Sequence, residues 1–341
     1  MAIFQTQIQG GGGSAPAHYI EKTVDANGVL QNGSSIIDLT GVTKIGPYGL
    51  AYAYWNNTNI SGVLDMHNVT SIDGVYAATY AFWGCTGITS VDLSSLEEIT
   101  GNTKPAESMF RDCTGITSVN ISKLTRCTSS MQSMFNGCTG ITTIDLSSLT
   151  SVWDATSMFY GCTGLTSINL SSLETVYTLG SSLRGCTSLI ELDFPSLYLL
   201  PYGKEMQSMC QDSTNLTRIS FYALTPSSFG SYTNAFSNML RYVTGCTVHF
   251  PMAIQSTIGS WSDVTNGFGG TNTTVLFDIV TSLTGADTNT YTRKQKESTS
   301  TATAWTYNDT LYYTSGTTEP VVNDTIYSDS ACTIAVTTIS A

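Results

Sequence analysis

A short pattern of apolar and polar residues recurs along most of the chain. It consists of an apolar residue, a polar residue and a second apolar residue, as at Ile144, Asp145 and Leu146. Successive central residues lie 24 to 29 positions apart, and they are Asp38, Asp65, Asp92, Asn120, Asp145, Asn169, Asp193, Ser220 and His249. Alternation with a period of two predicts a β-strand that buries its apolar side chains and exposes the central one. Recurrence of that strand at a nearly constant spacing predicts a solenoid of about nine turns over residues 36–255.

The other half of each turn carries apolar residues three or four positions apart. Met134, Phe135 and Cys138 are an example, and Gly137 and Gly140 interrupt this segment. The spacing predicts one short helical turn. A single repeat cannot bury both of its apolar faces, whereas repeats stacked ~4.8 Å apart can do so. The predicted fold class is therefore an α/β solenoid, a rod with a parallel β-sheet along one face and short helical turns along another.

Six of the nine cysteines occupy the same place in successive turns, and they are Cys85, Cys113, Cys138, Cys162, Cys186 and Cys246. Equivalent places in different turns, without a CxxC pair, predict small buried residues rather than disulfides or a zinc site. Cys127, Cys210 and Cys332 fall outside this register and fit either the surface or the core.

The repeat resembles a known family in both of its halves. The segments AFWGC at 81–85 and SMFRDC at 108–113, followed by strands of the Ile/Val-Asp-Leu type, are similar to the BspA-like (Treponema-type) leucine-rich repeats. Two turns depart from the pattern, with Ser182 and Leu183 in place of Met-Phe and Ser213 in place of the cysteine. Over residues 36–255 the resemblance implies a leucine-rich-repeat rod. It also implies adhesion or recognition, as in family members on mucosal bacteria and in bacteriophage genomes.

The segments outside the repeats predict three further parts. Residues 1–35 form an extended N-terminal arm with a glycine joint at 10–13, which fits either an anchor into an assembly or a disordered terminus. Residues 256–285 form a C-terminal cap, because the end of a solenoid exposes its core. Residues 286–341 form a linker and a small all-β module, in which NDTLY at 308–312 returns as NDTIY at 323–327. The cluster RKQKE at 293–297 fits a solvated linker or a binding patch.

Composition argues against several classes of partner. Charged residues make up only 11% of the chain and the formal net charge is −12, so no nucleic-acid surface is expected. No apolar stretch approaches the length of a membrane span, so no membrane insertion is expected. No basic and apolar leader precedes Gly10, which predicts synthesis in a cytoplasm without export by the ordinary secretory route.

The sequence contains no group of residues that we would assign to catalysis or metal binding. The three histidines, His18, His67 and His249, lie in different segments, and no pair of carboxylates can be placed on one wall of the rod. We therefore predict no enzymatic activity, no catalytic residues, no metal and no cofactor.

Two groups of residues are candidates for ligand binding. The first is a column of polar residues, one per turn, on the outer face of the strands, comprising Asp92, Asn120, Asp145, Asn169 and Asp193. This column fits solvated positions joined by amide hydrogen bonds, a groove for a polar ligand such as a glycan, or scattered calcium sites. The second group is aromatic, lies near the first turns and comprises Tyr52, Tyr54 and Trp55. It fits either a recognition surface or a cap over the open core.

The resemblance and the missing leader together suggest a non-enzymatic bacteriophage virion protein that decorates the capsid or forms part of a head or tail fibre. Residues 1–35 would bind other virion proteins, and the leucine-rich repeats would bind a glycan or protein of the host or of mucosa. The protein would be made in the host cytoplasm and lie on the virion surface. Self-association into a homo-oligomer stays open. The alternative is a leucine-rich-repeat adhesin on a bacterial cell surface.

Overall fold

The structure is a computed structural model that describes residues 42–200, 205–229, 234–251 and 254–279 without interruption. Outside these ranges it describes residue 328 and the strands Thr6–Ile8, His18–Ile20, Thr23–Val24, Leu30–Gln31, Ser282–Thr284, Thr290–Arg293, Ala302–Tyr307, Thr310–Ser315, Thr325–Tyr327 and Ala335–Thr338.

The recurring apolar-polar-apolar pattern forms parallel strands along one face, here called the front face. Its strands are Ser61–Asp65, Gly87–Asp92, Ser118–Asn120, Thr143–Asp145, Ser167–Asn169, Glu191–Phe194, Arg218–Phe221, Thr247–Pro251 and Thr274–Ile279. The predicted register is confirmed within each sheet, because Asp65 pairs with Asp92, Asp145 with Asn169, and Asp193 with Ser220. Strand pairing is interrupted after Asn120 and after Asn169, which divides the face into sheets of three, two and four strands.

The strands of the front face match the predicted series from Asp65 to His249, but the two ends of the series are different cases. Asp38 lies outside the described residues. At the other end the ladder continues beyond His249, which pairs with Leu276. Thr274–Ile279 therefore adds a parallel strand inside the segment predicted as a cap, and the domain boundaries themselves stay a prediction.

A second parallel sheet runs along the rod, and the sequence pattern did not predict it. Its strands are Lys44–Ile45, Ser71–Asp73, Glu98–Thr100, Arg126–Ser130, Ser151–Asp154 and Thr175–Val176. Most of these strands have two to four residues, and one buried residue per turn, such as Ile72, Ile99 or Val152, faces the core. A single apolar residue shows no periodicity, so the sequence carried little signal for this sheet.

The third side of the rod is a chain of β-turns where short helical turns were predicted. Across residues 133–138 the backbone N–H groups bond alternately to a carbonyl of the next turn, as in Phe135 to Met158, and to the carbonyl three residues earlier, as in Cys138 to Phe135. Ser133 and Gly137 have φ of 55° and 75°, outside the range of a right-handed helix. Bonds to the next turn therefore replace the helical ladder, because a stacked neighbour offers carbonyl oxygens at every step.

Helices in the described residues are few and short, and they lie near the C-terminal end of the rod. The α-helices are Gln255–Ile258 and Ser262–Thr265, and the 3-10 helices are Pro226–Phe229 and Gly267–Gly269. The solenoid class is confirmed, with β-turns on the side where helical turns were expected.

Aromatic rings form stacks inside the rod. One stack consists of Tyr54, Phe82, Phe110, Phe135 and Phe159, with ring centroids 5.4 to 5.7 Å apart and planes within 8° of parallel. Leu183 and Cys210 occupy the next two places, as the bonds between turns show. A second stack consists of Phe194, Phe221, Phe250 and Phe277. In these stacks each turn contributes one ring, and successive rings follow the spacing of the strands. Neighbouring rings of a stack cover one another, so stacking buries apolar surface that a single repeat would expose.

The cysteines beside the first stack are buried and free, as predicted. Five thiols each donate to the carbonyl of the stacked aromatic residue in the preceding turn, over 2.9 to 3.2 Å, and they belong to Cys85, Cys113, Cys138, Cys162 and Cys186. Ser213 donates in the same way to the Leu183 carbonyl, over 2.7 Å. Cys127 and Cys210 are buried as well, Cys127 at an inward place of the second sheet, and Cys332 lies outside the described residues.

The two ends of the chain contain antiparallel strands. Near the N-terminus, Thr6–Ile8 pairs with His18–Ile20, and Thr23–Val24 pairs with Leu30–Gln31. The predicted C-terminal β module is confirmed as a six-stranded antiparallel sheet with its strands in chain order, from Ser282–Thr284 to Ala335–Thr338. The cluster at 293–297 lies outside the described residues apart from Arg293, which ends a strand.

Candidate functional site

The polar column of the front face is built into the turns that end the strands. A side-chain oxygen of Asp92, of Asp145 and of Asn169 accepts from the backbone N–H two residues later, over 2.9 to 3.2 Å. Asn120 accepts instead from the hydroxyl of Ser122, over 3.1 Å. These are Asx-type turns, in which a short polar side chain satisfies its own backbone. These side-chain oxygens thus accept hydrogen bonds from their own turn. One of the expectations for the column was instead a series of hydrogen bonds from one turn to the next.

Asp193 belongs to a charged network instead. One Arg218 guanidinium nitrogen donates to Asp193 over 2.9 Å and to Ser220 over 2.7 Å, and another donates to Glu191 over 2.7 Å. The Arg218 side chain is 15% exposed. Burial by itself lowers the pKa of Arg218, but the adjacent Asp193 and Glu191 carboxylates more than offset this and raise it overall. Arg218 and Ser220 lie on one strand, and Glu191 and Asp193 lie on its neighbour. All four are on the outward-facing side of their strands, so these bonds link the two strands across the front face.

Sequence reasoning missed this network although the signal was present. Arg218 stands two residues before Ser220, as Glu191 stands two residues before Asp193. Once Asp193 and Ser220 are aligned, the pair Arg218 and Glu191 follows from the two-residue period.

A shallow depression of about 890 Å³ lies on the front face over three neighbouring strands. Asp145, Asn169 and Asp193 line it, together with hydroxyl groups, Ile190 and Pro195. It crosses the second interruption of the sheet, after Asn169. The structure therefore brings three of the five column residues to one concavity, whereas Asp92 and Asn120 lie outside it, and ligand binding by the column stays a prediction.

Exposed aromatic residues gather on the turn-chain side of the first two described turns. This aromatic surface comprises Tyr48, Tyr52, Trp55, Tyr76, Tyr80 and Trp83. Tyr48, Tyr52 and Trp55 are 56%, 44% and 44% exposed. Each contacts its counterpart in the next turn, and the ring centroids are 5.9 Å apart for Tyr48 and Tyr76, 5.0 Å for Tyr52 and Tyr80, and 5.8 Å for Trp55 and Trp83.

Tyr54 is the exception among the predicted aromatic residues. It is 2% exposed and begins the internal aromatic stack against Phe82. Its expected place in an exposed binding group is therefore corrected. Ala53 and Tyr54 both face the core, whereas Tyr52 and Trp55 on either side of them face outward.

The four tyrosines of the aromatic surface occupy backbone positions with positive φ. Tyr48, Tyr52, Tyr76 and Tyr80 have φ of 51° to 56°. Bonds between turns show that the place of Tyr52 and Tyr80 is held in the following turns by Ser108, Ser133, Ser157, Ser181 and Ser208. A residue with a Cβ atom in this left-handed region costs about 1 to 2 kcal/mol, and this applies to serine as well as to tyrosine. The fold itself accepts a small polar residue at this place.

Two ion pairs border the aromatic surface. The Arg111 guanidinium lies 4.8 Å from the centre of the Trp83 ring, and the Trp83 indole N–H donates to Asp112 over 2.8 Å. Lys104 pairs with Glu107 over 2.9 Å. Burial, and then the charge of Glu107, raises the pKa of the Tyr52 and Tyr80 hydroxyls. Each cation at this border is adjacent to an acidic partner, so the border is close to neutral.

A second exposed aromatic pair lies on the second sheet and was not anticipated. Trp153 is 48% exposed, and its ring centroid lies 4.4 Å from that of Tyr177. The two residues are 24 positions apart, which is one repeat, and that spacing was the available signal.

Histidines and acidic residues form no metal-binding group in the part of the chain that the structure describes. His67 contacts Asp65 of its own turn, and His249 pairs in register with Ser220. None of the helices described has the length and apolar character needed to span a membrane, since the α-helices have four residues each.

The structure combines stacked parallel strands with a repeat of 24 to 29 residues. Most turns also place a cysteine and an aromatic residue at fixed positions in the core. Together these features define a leucine-rich-repeat solenoid. The chain belongs to the BspA type leucine-rich repeat family, whose model matches six copies within residues 43–183 and 106–241, more than half of the chain.

Two solved structures are similar to parts of this chain. A leucine-rich repeat protein from Bacteroides ovatus ATCC 8483 is 17% identical with a TM-score of 0.28, over 69% of this chain and 76% of that one. The pneumococcal vaccine antigen PcpA is 12% identical with a TM-score of 0.29, over 71% of this chain and 78% of that one. No curated protein matches the chain.

Proposed function

We propose that this leucine-rich-repeat protein is a non-enzymatic binding protein that holds its partner on the aromatic surface. The observation that carries this proposal is the gathering of six tyrosine and tryptophan side chains on two adjacent turns. Three of them are at least 44% exposed. Large aromatic side chains supply rigid contact area at a low entropic cost, and they are enriched where proteins bind partners.

The proposed lack of catalysis is supported by how the carboxylates of the front face are engaged. Those of Asp92 and Asp145 accept from their own turns, and those of Glu191 and Asp193 accept from Arg218. A general acid or base needs a proton-transfer position within reach of a substrate, and carboxylates held in turns or ion pairs are poorly placed for that role. Measurable turnover of a polysaccharide or protein substrate would contradict this part of the proposal.

We propose the virion surface as the setting, with residues 1–35 attached to other virion proteins and the solenoid turned toward a host or mucosal surface. The alternative setting is a bacterial cell surface, where the same aromatic surface would serve an adhesin. Self-association of the chain is compatible with both settings. Antibody detection in gradient-purified phage particles and on intact producing cells distinguishes the two. Deleting residues 1–13 should abolish incorporation into particles, and full occupancy by the truncated chain would contradict the anchor.

The binding proposal is tested with the full chain, fluorescently labelled, on intact cells and on mucin-coated plates. The test variant is Tyr52→Ser with Tyr80→Ser, because serine holds this place in five following turns. The matched control is Trp153→Thr with Tyr177→Thr, which removes the exposed aromatic pair of the second sheet. Binding that is lost in the test variant and kept in the control supports the proposal. Equal binding by both variants, or no binding by the unmodified chain, overturns it.

A further inference from the structure

We propose that the aromatic surface is a carbohydrate-binding site for the pyranose rings of a neutral polysaccharide. This inference rests on the proposed binding function and names the chemical class of its ligand.

The first argument is the exposed area of the rings. Tyr48, Tyr52 and Trp55 each contact a counterpart in the following turn. The exposed fractions of Tyr48, Tyr52 and Trp55 are 56%, 44% and 44%. An aromatic face carries partial negative charge and attracts the partially positive C–H groups that cover one face of a pyranose ring. A pyranose ring can therefore pack on the exposed part of these aromatic side chains.

The second argument is the polar groups that accompany the rings. Among the described residues, none bonds to the hydroxyl groups of Tyr48, Tyr52, Tyr76 and Tyr80 or to the indole N–H of Trp55. A tyrosine hydroxyl both donates and accepts, whereas an indole N–H only donates. A hydroxyl-rich ligand can complete both kinds of bond. A proline-rich peptide also packs on aromatic side chains, but it offers carbonyl acceptors and few donors, so it completes the set less well.

The third argument is charge. Lys104 and Arg111 border the rings, and each lies beside an acidic partner, Glu107 and Asp112. The chain as a whole carries a formal net charge of −12. An anionic polymer would meet a repulsive field without unpaired cations to bind it. This balance favours neutral sugars over sulfated or carboxylated ones.

The fourth argument is that the fold does not need these tyrosines. Their backbone positions have positive φ, and serine fills the place of Tyr52 and Tyr80 in five later turns. The φ is the same with serine as with tyrosine, so a large aromatic side chain at a place where serine is the rule elsewhere in the rod points to a role outside folding.

The experiment is affinity electrophoresis of the full chain in native gels that contain one polymer each. The neutral probes are hydroxyethylcellulose, galactomannan and soluble starch, which present glucose, galactose and mannose rings. The comparison polymers are alginate, which is anionic, and poly-L-proline. We expect at least one neutral probe to retard the unmodified chain, and alginate and poly-L-proline to leave its migration unchanged.

The variants decide whether the retardation comes from this site. Tyr52→Ser with Tyr80→Ser should bind the retarding probe about tenfold more weakly or worse, because two stacking rings are lost. The variant should stay folded, with a cooperative thermal unfolding transition, because serine occupies the same place in five later turns. Trp153→Thr with Tyr177→Thr should bind normally. Unchanged binding by the test variant, retardation by poly-L-proline alone or by alginate alone, or no retardation by any neutral probe overturns the inference.

The cell-binding experiment separates this inference from the function on which it rests. If the Tyr52 and Tyr80 variant loses binding to cells while no neutral polysaccharide binds or competes, the binding function stands and the carbohydrate assignment is wrong. If the variant binds cells as strongly as the unmodified chain does, the proposed function itself is wrong.

Discussion

The thiol of Cys138 donates a hydrogen bond to the carbonyl oxygen of Phe110 in the preceding turn, over 3.0 Å. The residue that contributes the stacked ring thus also contributes the acceptor, so the two columns are joined in register. The same relationship recurs in five consecutive turns. Cysteine at this place therefore both fills space and bonds one turn to the next.

Cys138→Ser should fold with a loss of about 1 kcal/mol or less in the free energy of unfolding, because Ser213 makes the same bond in a later turn. Cys138→Asp should cost several kcal/mol, since it buries an unpaired charge. Urea unfolding followed by circular dichroism measures both. Equal stability of the two variants would contradict a buried column.

Stability should fall as the pH rises above 9. Burial raises the pKa of Cys85, Cys127 and Cys186 from 9.0 to about 12. Between these values the unfolded chain releases thiol protons while the folded chain keeps them, so the free energy of the unfolded state falls relative to that of the folded state. Each thiol should therefore remove about 1 kcal/mol of stability by pH 10. Urea midpoints at pH 8, 9 and 10 measure the decline.

A matched variant tests the origin of this pH dependence. Cys85→Ser with Cys186→Ser removes two of the titrating thiols and should make the decline between pH 9 and 10 shallower. A decline of unchanged slope would assign the effect to other groups, such as the tyrosine hydroxyls.

Phe135→Leu should be tolerated better than Phe135→Ala. Leu183 already occupies the equivalent place two turns later, so leucine fits the column at a cost of about 1 kcal/mol. Alanine leaves a cavity between Phe110 and Phe159 and should cost about 3 to 5 kcal/mol. Thermal and urea unfolding measure the difference, and equal effects would place the ring outside the core.

Asp145→Asn should leave stability unchanged, because Asn169 makes the same contact with the backbone two residues later. Asp145→Ala should cost about 0.5 to 1 kcal/mol through loss of that turn. Urea unfolding at neutral pH compares the two variants. A large loss in the asparagine variant would show that the carboxylate charge matters at this position.

Parts of this structure followed from the sequence because they depend on one residue per turn. The spacing of Asp145 and Asn169 predicted their pairing, and the spacing of the cysteines predicted a buried column. The β-turn chain did not follow, since Met134, Phe135 and Cys138 have the spacing of a helix. The N–H of Phe135 bonds to a carbonyl of the next turn. Hydrogen bonds between turns cannot be recognised from the spacing of apolar residues within one turn.

The sequence by itself determined the solenoid, its register and its family, because stacking repeats the same side-chain contacts at every turn. Only the tertiary structure decided which neighbouring residues share a surface. Tyr52 and Trp55 lie outside with Tyr80 and Trp83, whereas Tyr54 between them lies in the core. These directions depend on the φ angles of 56° at Tyr52 and Tyr80 and on hydrogen bonds to the next turn, and the bonds are made by the stacked neighbour rather than by the residue itself.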